Sequence, residues 1–259
     1  MKKFLLTVGC ILSLQVINAQ VNVETTVDST QLAGLVSTPK PKKGLTKIDL
    51  SNRSNDHIMM QYGVDNWAGT NDTINPSGFS RFFNFYIMLD KPFKTNQKLS
   101  VGLGIGIGSD NIFFKNTYVD ITSTKASLPF KNVDSVDHFK KFKLTTIFLE
   151  APIELRYSSD PANNGKSIKA ALGVKVGTLL KAYTKGKTLL DKNDNDINSF
   201  IEKQYNKRFF NSIRLATTAR IGYGIFSLFG SYQLTSFFKE GAGPSEIRPY
   251  SIGICLSGL

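Results

Sequence analysis

The sequence predicts an all-β protein: an eight-stranded antiparallel up-and-down transmembrane β-barrel with short periplasmic turns and longer extracellular loops. Two observations favour this fold. Apolar residues alternate with polar or small ones in eight separate runs, and the connections between the runs alternate in length. A third observation is compatible with it. The mature chain lacks the eighteen or so consecutive apolar residues that a membrane helix needs, but only alternate residues of a barrel strand face lipid.

The N-terminal residues have the composition of an export signal. The stretch MKKFLLTVGCILSLQVINAQ starts with Lys2 and Lys3 and continues with a short apolar core. Removing residues 1–20 takes away two lysines, so the net charge falls from +12 to +10. Cys255 is then the only cysteine, and no internal disulfide is expected. Residues 21–55 show no regular alternation of apolar and polar residues and are expected to be a flexible periplasmic segment. The barrel is therefore predicted over 56–259.

The first four runs each place large apolar residues on one face. Residues 58–64 present Ile, Met, Tyr and Val, and residues 83–89 present two Phe, Ile and Leu. Residues 99–107 present Leu, Val, Leu and two Ile, opposite a row of glycines. In 147–157 the apolar face is opposite charged residues. Each run therefore predicts a strand with one lipid-facing side.

The last four runs repeat this pattern. Residues 168–180 alternate Ile, Ala, Leu, Val and Val with lysines and glycines, and residues 213–223 alternate Ile, Leu, Ala, Ile and Tyr with polar residues. Residues 226–234 and 250–256 complete the set with Phe, Leu, Tyr and Ile. Eight strands satisfy the even number found in bacterial barrels, and most runs reach the roughly 9–11 residues of a tilted membrane strand.

The connections also predict which end of the barrel faces outward. Those after the second, fourth and sixth strands are short, whereas the longest run over 111–141 and 183–207. Long loops on the extracellular side are typical of barrels. Aromatic residues near the strand ends predict interfacial girdles. Those expected near the outer rim are Trp67, Phe79, Phe113, Phe114, Tyr183, Phe209, Phe237 and Tyr250.

Two motifs resemble ligand-binding loops, but a structural role explains each of them better. The glycines of SVGLGIGIG (100–108) do not have the spacing of a dinucleotide loop, and no helical period follows them. We interpret them as small lumen-facing residues that make room for bulky neighbours such as Tyr86 and Met88. In the loop at 191–202 a calcium-loop pattern lacks its central glycine, so a solvated loop is favoured over a calcium site. The candidate ligands of the calcium alternative are Asp191, Asn193, Asn195 and Glu202. No other metal and no cofactor are expected.

Charged residues on three neighbouring strands predict an ion network inside the barrel. They share the faces opposite the apolar residues, and buried charges need partners. A narrow anion pore is the alternative, but a lumen of about eight strands is just wide enough to be filled by side chains, so a plug is favoured. The predicted network comprises Glu150, Glu154, Arg156, Lys169, Lys175, Lys181, Arg214 and Arg220.

Several segments resemble the PorT-like outer-membrane β-barrel family. The run LEAPIELRY (149–157) is similar to the "LEIPL" strand of that family, and 54–57, 90–93 and 248–253 resemble it too. The resemblance extends over about 49–259 and implies an eight-stranded outer-membrane barrel, with Pro152 as a family feature. The founding member is linked to protein secretion, but the resemblance implies no enzymatic activity.

We therefore expect a non-enzymatic integral protein of the outer membrane of a Gram-negative bacterium, structural or loop-presenting. Its expected partners are outer-membrane lipid, lipopolysaccharide and the outer-membrane assembly machinery, and no nucleic acid. Basic loop residues suggest contact with lipopolysaccharide phosphates. The alternatives are a PorT-type secretion component, with secretion-system proteins as partners, and a small enzyme, for which His138 is the one histidine at the rim. The basic loop residues are Lys115, Lys125, Lys131, Lys140 and Lys141.

Overall fold

The computed structural model describes residues 57–70, 74, 76–77 and 79–257 of the 259-residue chain. This part of the chain is built from β-strands, with one 3-10 turn at Asn164–Lys166. None of the helical structure in these residues is long and apolar enough to cross a membrane. The predicted signal peptide and the whole of the predicted periplasmic segment lie outside the described residues, so both stay predictions.

Eleven strands are found in the described part of the chain. In chain order they are β1 (Ile58–Ala68), β2 (Arg81–Pro92), β3 (Leu99–Phe114), β4 (Thr117–Val119), β5 (Phe130–Asn132), β6 (His138–Ser158), β7 (Ile168–Leu190), β8 (Asp196–Tyr205), β9 (Ile213–Tyr223), β10 (Phe226–Gln233) and β11 (Arg248–Ser257).

Eight of these strands form a closed ring. Its order is β1–β2–β3–β6–β7–β9–β10–β11, every pair is antiparallel, and β11 pairs with β1 to close the sheet. Each ring strand is therefore hydrogen-bonded to the ring strands before and after it in the chain. The predicted eight-stranded up-and-down barrel is confirmed, and each ring strand overlaps one of the eight alternating runs. The β3, β6 and β7 strands are longer than their runs, so parts of the predicted loops 111–141 and 183–207 are strand.

The remaining three strands lie in the long connections. The β4 and β5 strands form a separate two-stranded hairpin between β3 and β6. The β8 strand pairs with the part of β7 from Tyr183 to Leu190, beyond the segment that pairs with β9. Because β6 and β7 have 21 and 23 residues, they extend well past the roughly 9–11 residues that cross a membrane. A three-stranded sheet of β6, β7 and β8 therefore projects from the outer end.

The outer face of the ring is apolar and the inner face is polar. In β2, Phe83, Phe85, Ile87 and Leu89 are exposed, while the residues between them are buried. The same alternation occurs in the other ring strands. An apolar belt of this extent is not stable in water and is the surface that barrels turn to lipid. Its members in the other strands include Tyr62, Val64, Leu103, Ile105, Ile107, Ile153, Leu155, Leu172, Val174, Ile221, Leu228, Ile252 and Ile254.

The glycine row of β3 lies on the inner side of the ring, as predicted. A Cβ atom added to Gly106 would lie 2.6 Å from Cδ1 of Tyr86, and one added to Gly104 would collide with Sδ of Met88. Both large side chains are fully buried. The glycines thus provide the space that the bulky residues of β2 occupy, which confirms the structural interpretation of this stretch.

The outer end of the barrel contains an apolar core of its own. Trp67 packs against Phe237 and Phe114, with ring centroids 4.9 and 5.6 Å apart, and both phenylalanines are buried. The girdle prediction is wrong for these residues and for Phe209, because they point into this core and not toward lipid. We call the set the outer core; it comprises Trp67, Ile74, Ile112, Phe114, Val119, Ile121, Leu128, Phe142, Leu144, Phe148, Leu179, Ala182, Phe209, Phe210, Phe237, Phe238, Ala242 and Ile247.

Candidate functional site

Glu150 of β6 is the centre of the first ion cluster in the lumen. Its Oε1 accepts a hydrogen bond from Nη1 of Arg214 at 2.9 Å, and its Oε2 lies 3.3 Å from Nζ of Lys175. The hydroxyl of Tyr86 donates to Oε2 at 2.5 Å. Arg214 also binds Asp110 of β3. Two cations and a hydroxyl therefore satisfy one buried carboxylate, which is the condition for keeping a charge inside a protein.

A second cluster surrounds Glu154, four residues further along the same strand. Its Oε2 accepts hydrogen bonds from Nε of Arg156 and Nη2 of Arg220, each at 2.9 Å. Arg156 Nη1 lies 3.6 Å from Asp90, and Arg220 donates to the hydroxyl of Ser257 at 2.9 Å. The two clusters tie β2, β3, β6, β7, β9 and β11 together through side chains as well as through the backbone.

Glycines opposite the two glutamates explain why the sheet can hold these side chains. Glu150 pairs with Gly177 and Glu154 pairs with Gly173 on β7. A Cβ at Gly177 would lie 2.9 Å from Cγ of Glu150, and a Cβ at Gly173 would lie 3.0 Å from Cγ of Glu154. The charged residues of β6 and the glycines of β7 therefore form matched pairs across the strand interface.

The structure brings together most of the predicted network. Six of the eight residues belong to the two clusters, and Lys169 is also buried in the lumen. The prediction for Lys181 is wrong, because the register of β7 shifts opposite Ile147 and Phe148. The shift makes both Leu180 and Lys181 exposed, which breaks the two-residue period on which the prediction depended.

Sequence reasoning missed the acidic and polar partners on other strands. Asp90, Asp110 and Tyr86 join the clusters, and Asp65 accepts a hydrogen bond from Ser251 at 2.8 Å. The signal was available, because these residues fall on the polar side of the alternation in their own strands. Each acid is isolated on an otherwise uncharged face, so the pattern of its own strand does not indicate its partner on another strand.

Side chains fill the lumen around the Glu150 cluster. The guanidinium of Arg214 lies 3.7 Å from the centroid of the Phe148 ring, which belongs to the outer core. Beside it, a cavity of about 10 Å³ lies among Asp65, Asp110 and Lys175, which is room for about one water molecule. This arrangement supports the plug over the anion pore.

The predicted calcium ligands do not converge. Asp191 caps the turn between β7 and β8, and its Oδ1 accepts hydrogen bonds from the backbone nitrogens of Asn193 and Asn195 at 2.8 and 2.9 Å. Hydrogen bonds from the backbone N–H of Asn195, from the side chain of Asn195 and from the backbone N–H of Asn193 lower the pKa of Asp191. Glu202 pairs with Gly186, five residues back along β7, which is about 16 Å away along the strand. The calcium alternative is therefore wrong.

The outer end carries an open, basic depression, which we call the cationic cleft. Its volume is about 910 Å³. His138 lies at its edge and contacts Asp194 at 3.1 Å. Two of the predicted loop lysines form ion pairs, Lys131 with Asp120 and Lys140 with Asp196. In each pair the lysine Nζ lies 3.5 Å from a carboxylate oxygen, and the lysine side chain is exposed. The basic residues that line the cleft are Arg81, Lys115, Lys140, Lys141 and Lys192.

The family of the chain follows from a sequence comparison. Residues 54–240 match the family model described as "Outer membrane protein beta-barrel domain". The chain belongs to this family. Together with the closed ring and its apolar belt, membership identifies an integral protein of the outer membrane of a Gram-negative bacterium. The family match does not distinguish a PorT-like member from other members.

A comparison with solved structures finds a similar chain in a protein of Yersinia pestis. Ail, the attachment invasion locus protein of Yersinia pestis, determined in complex with the heparin analogue sucrose octasulfate, is 12% identical to this chain, and the TM-score is 0.33. The match covers 77% of this family member and 94% of the Ail chain. No curated protein matches the sequence significantly.

Proposed function

We propose that this outer-membrane barrel is a closed, non-enzymatic protein that presents a basic outer end to the phosphate groups of lipopolysaccharide. The observation that carries the proposal is the cationic cleft, which lies beyond the apolar belt on the side of the long connections. The phosphates of lipopolysaccharide lie just outside the hydrocarbon layer. Lysine binds phosphate as a point charge, so several lysines can contact such a surface without a fixed geometry.

Two structural features support a presenting role over transport. The ion clusters and the outer core occupy the inside of the barrel, so a solute has no wide path through the ring. The outer core also fixes the loops from several strands against one another, because buried aromatic residues from distant parts of the chain pack there. A rigid set of loops loses less conformational entropy on binding than mobile ones do.

Lysine substitutions at the outer end test this proposal. We expect Lys115→Gln, Lys140→Gln and Lys141→Gln together to weaken binding of lipopolysaccharide to the purified barrel in lipid nanodiscs by about tenfold, with a smaller salt dependence. The matched control replaces three exposed lysines near the short turns, Lys94, Lys98 and Lys166, and should retain binding. Equal affinities for the two triple variants would contradict the proposal.

A PorT-type role in protein secretion is a second candidate. The resemblance in LEAPIELRY (149–157) favours it, and this segment forms the central part of β6. However, Glu150, Glu154 and Arg156 of the segment point into the ion clusters, so the similarity also has a structural explanation. A deletion strain distinguishes the two, because loss of cargo export would support the secretion role and normal export would exclude it.

We also propose that residues 1–20 are a cleaved signal peptide and that 21–55 are a periplasmic segment preceding the barrel. The basic start and the short apolar core support this assignment, as does the outer-membrane location of the family. After export the barrel would require the outer-membrane assembly machinery. N-terminal sequencing of the protein from isolated outer membranes should find Val21 as the first residue, and an intact Met1 would contradict the signal.

A further inference from the structure

A second cavity adjoins the cationic cleft at the outer end. We call it the ring pocket, and its volume is about 220 Å³. It lies between the β4–β5 hairpin and the outer parts of β6 and β7. The residues that line it are Phe114, Asn116, Thr117, Tyr118, Val133, Asp137, His138, Phe139, Phe142 and Leu189.

The ring pocket has the size and walls of a site for one apolar ring. A cavity of about 150 Å³ lined by apolar side chains holds a benzene molecule, so this pocket has room for a substituted ring. Its aromatic walls are fixed, because Phe142 packs against Tyr118 and Phe139 with centroid distances of 5.1 and 6.1 Å. The hydroxyl of Tyr118 donates to Gln204 at 3.4 Å, and burial raises the pKa of this tyrosine, so it stays neutral.

The cationic cleft next to it has an excess of positive charge. Both of its acids have neighbours, because Asp134 accepts a hydrogen bond from Asn116 at 2.5 Å and Asp194 contacts His138. In the described part of the chain, no carboxylate lies within ion-pair distance of Lys115, Lys141 or Lys192, although all three line the cleft. An anion is the complementary ligand.

The two cavities are adjacent. Phe114, Asn116, His138, Phe139 and Phe142 line both of them. A molecule that carries an anionic group on a ring and contacts these shared residues would place the ring in the pocket and the anion among the lysines. Cavities that bind small molecules typically combine apolar walls with a few convergent polar groups in this way.

We propose that the outer end binds a small amphiphilic anion, an aromatic or similarly sized apolar ring bearing a phosphate or sulfate group. The inference goes beyond lipopolysaccharide binding, because the ring pocket has no part in that contact. The two sites share the lysines of the cleft and differ at Leu189 and its neighbours.

Calorimetry on the full-length mature protein in nanodiscs tests the proposal with three probes. Phenyl phosphate engages both cavities, inorganic phosphate engages the cleft, and benzyl alcohol engages the pocket. Phenyl phosphate should bind about tenfold more tightly than either fragment, the change expected when a ring leaves water. Phenyl sulfate shows whether the site prefers a dianion. Binding of phenyl phosphate no tighter than that of inorganic phosphate would overturn the proposal.

Two pairs of variants separate this site from the proposed function. Leu189→Trp fills the pocket and should abolish the advantage of phenyl phosphate over phosphate, while lipopolysaccharide binding is retained. Ile201→Trp adds the same indole on exposed β8, outside both cavities, and should change the affinity for neither phenyl phosphate nor lipopolysaccharide. Lys115→Gln with Lys141→Gln should weaken phenyl phosphate binding, and Lys94→Gln with Lys98→Gln should not. If Leu189→Trp bound phenyl phosphate as tightly as the unchanged protein does, the ring pocket would be excluded as the binding site, even if lipopolysaccharide still binds.

Discussion

The residue type that fits a position inside the barrel depends on the residue directly opposite it on the neighbouring strand. Glu150 and Gly177 illustrate this, because the carboxylate side chain occupies the space that a side chain at Gly177 would need. The alternation of the sequence was sufficient to place Glu150, Lys175 and Arg214 on the inner face. It could not place Lys181, because a local register shift leaves no trace in the order of polar and apolar residues.

Replacing Glu150 should be strongly destabilising. In Glu150→Ala the buried Arg214 and Lys175 lose their shared carboxylate, so we expect the free energy of unfolding to fall by about 3–5 kcal/mol. Urea titration of the barrel folded into lipid vesicles measures this change. The exposed Glu240 provides the control, and Glu240→Ala should change stability by no more than about 0.5 kcal/mol.

Two glycines of the ring offer a matched test of packing. A Cβ at Gly106 meets the backbone of Phe85 and Tyr86 as well as the ring of Tyr86, whereas a Cβ at Gly230 of β10 meets nothing within 4 Å. Gly106→Ala should lower the free energy of unfolding by about 1–3 kcal/mol, and Gly230→Ala should leave it unchanged or slightly raised. The same urea titration compares them. Similar losses at both positions would contradict the interpretation that the glycine row makes space in the lumen.

At the scale of elements, the eight ring strands were predictable and the three loop strands were not. Each ring strand contacts lipid on one side, so its sequence carries a period of two over many residues. The β4 and β5 strands have only three residues each, too few for a period. The β8 strand is exposed along both faces, so nothing constrains its alternation. A strand can be predicted from the sequence when its two faces have different surroundings, because its residues then alternate in polarity.

The β8 strand should be dispensable for barrel closure. It pairs with β7 beyond the ring, and the ring pairs of β7 with β6 and β9 do not involve it. Replacing residues 191–205 with a short Gly-Ser linker should leave a folded barrel that migrates differently before and after boiling on a gel. A matched shortening of β10 should abolish the folded band. Loss of the folded band in the β8 variant would show that the projecting sheet is needed for assembly.

At the scale of the whole molecule, the ring reverses the usual distribution of residues, because its apolar residues are outside and its charged residues are inside. The outer end follows the usual distribution, because its apolar residues are buried in the outer core. The lipid-facing belt was predicted correctly, because its residues alternate with polar ones. The outer core was not, because its eight aromatic residues come from three strands and two connections that meet only in three dimensions. Near a strand end, Trp67 or Phe114 has the same local pattern whether it faces lipid or the core.

Two isoleucines with nearly equal solvent exposure differ in whether they face lipid. Ile105 of β3 and Ile201 of β8 have relative exposures of 56% and 55%, but only Ile105 lies in the lipid-facing belt. Ile105→Arg should lower the free energy of unfolding in lipid vesicles by about 2–4 kcal/mol, as expected near the middle of a bilayer. Ile201→Arg should have almost no effect. If the two variants were equally stable, the apolar belt would not be the membrane-facing surface.

The pairing of β11 with β1 has a consequence for how the protein is made. Met59 lies opposite Ser257, so the earliest and latest strands of the ring are hydrogen-bonded neighbours separated by almost 200 residues of sequence. Until Arg248–Ser257 leaves the ribosome, the sheet keeps two bare edges, and bare edges invite aggregation. Closure of the sheet therefore depends on the final ten residues of the ring.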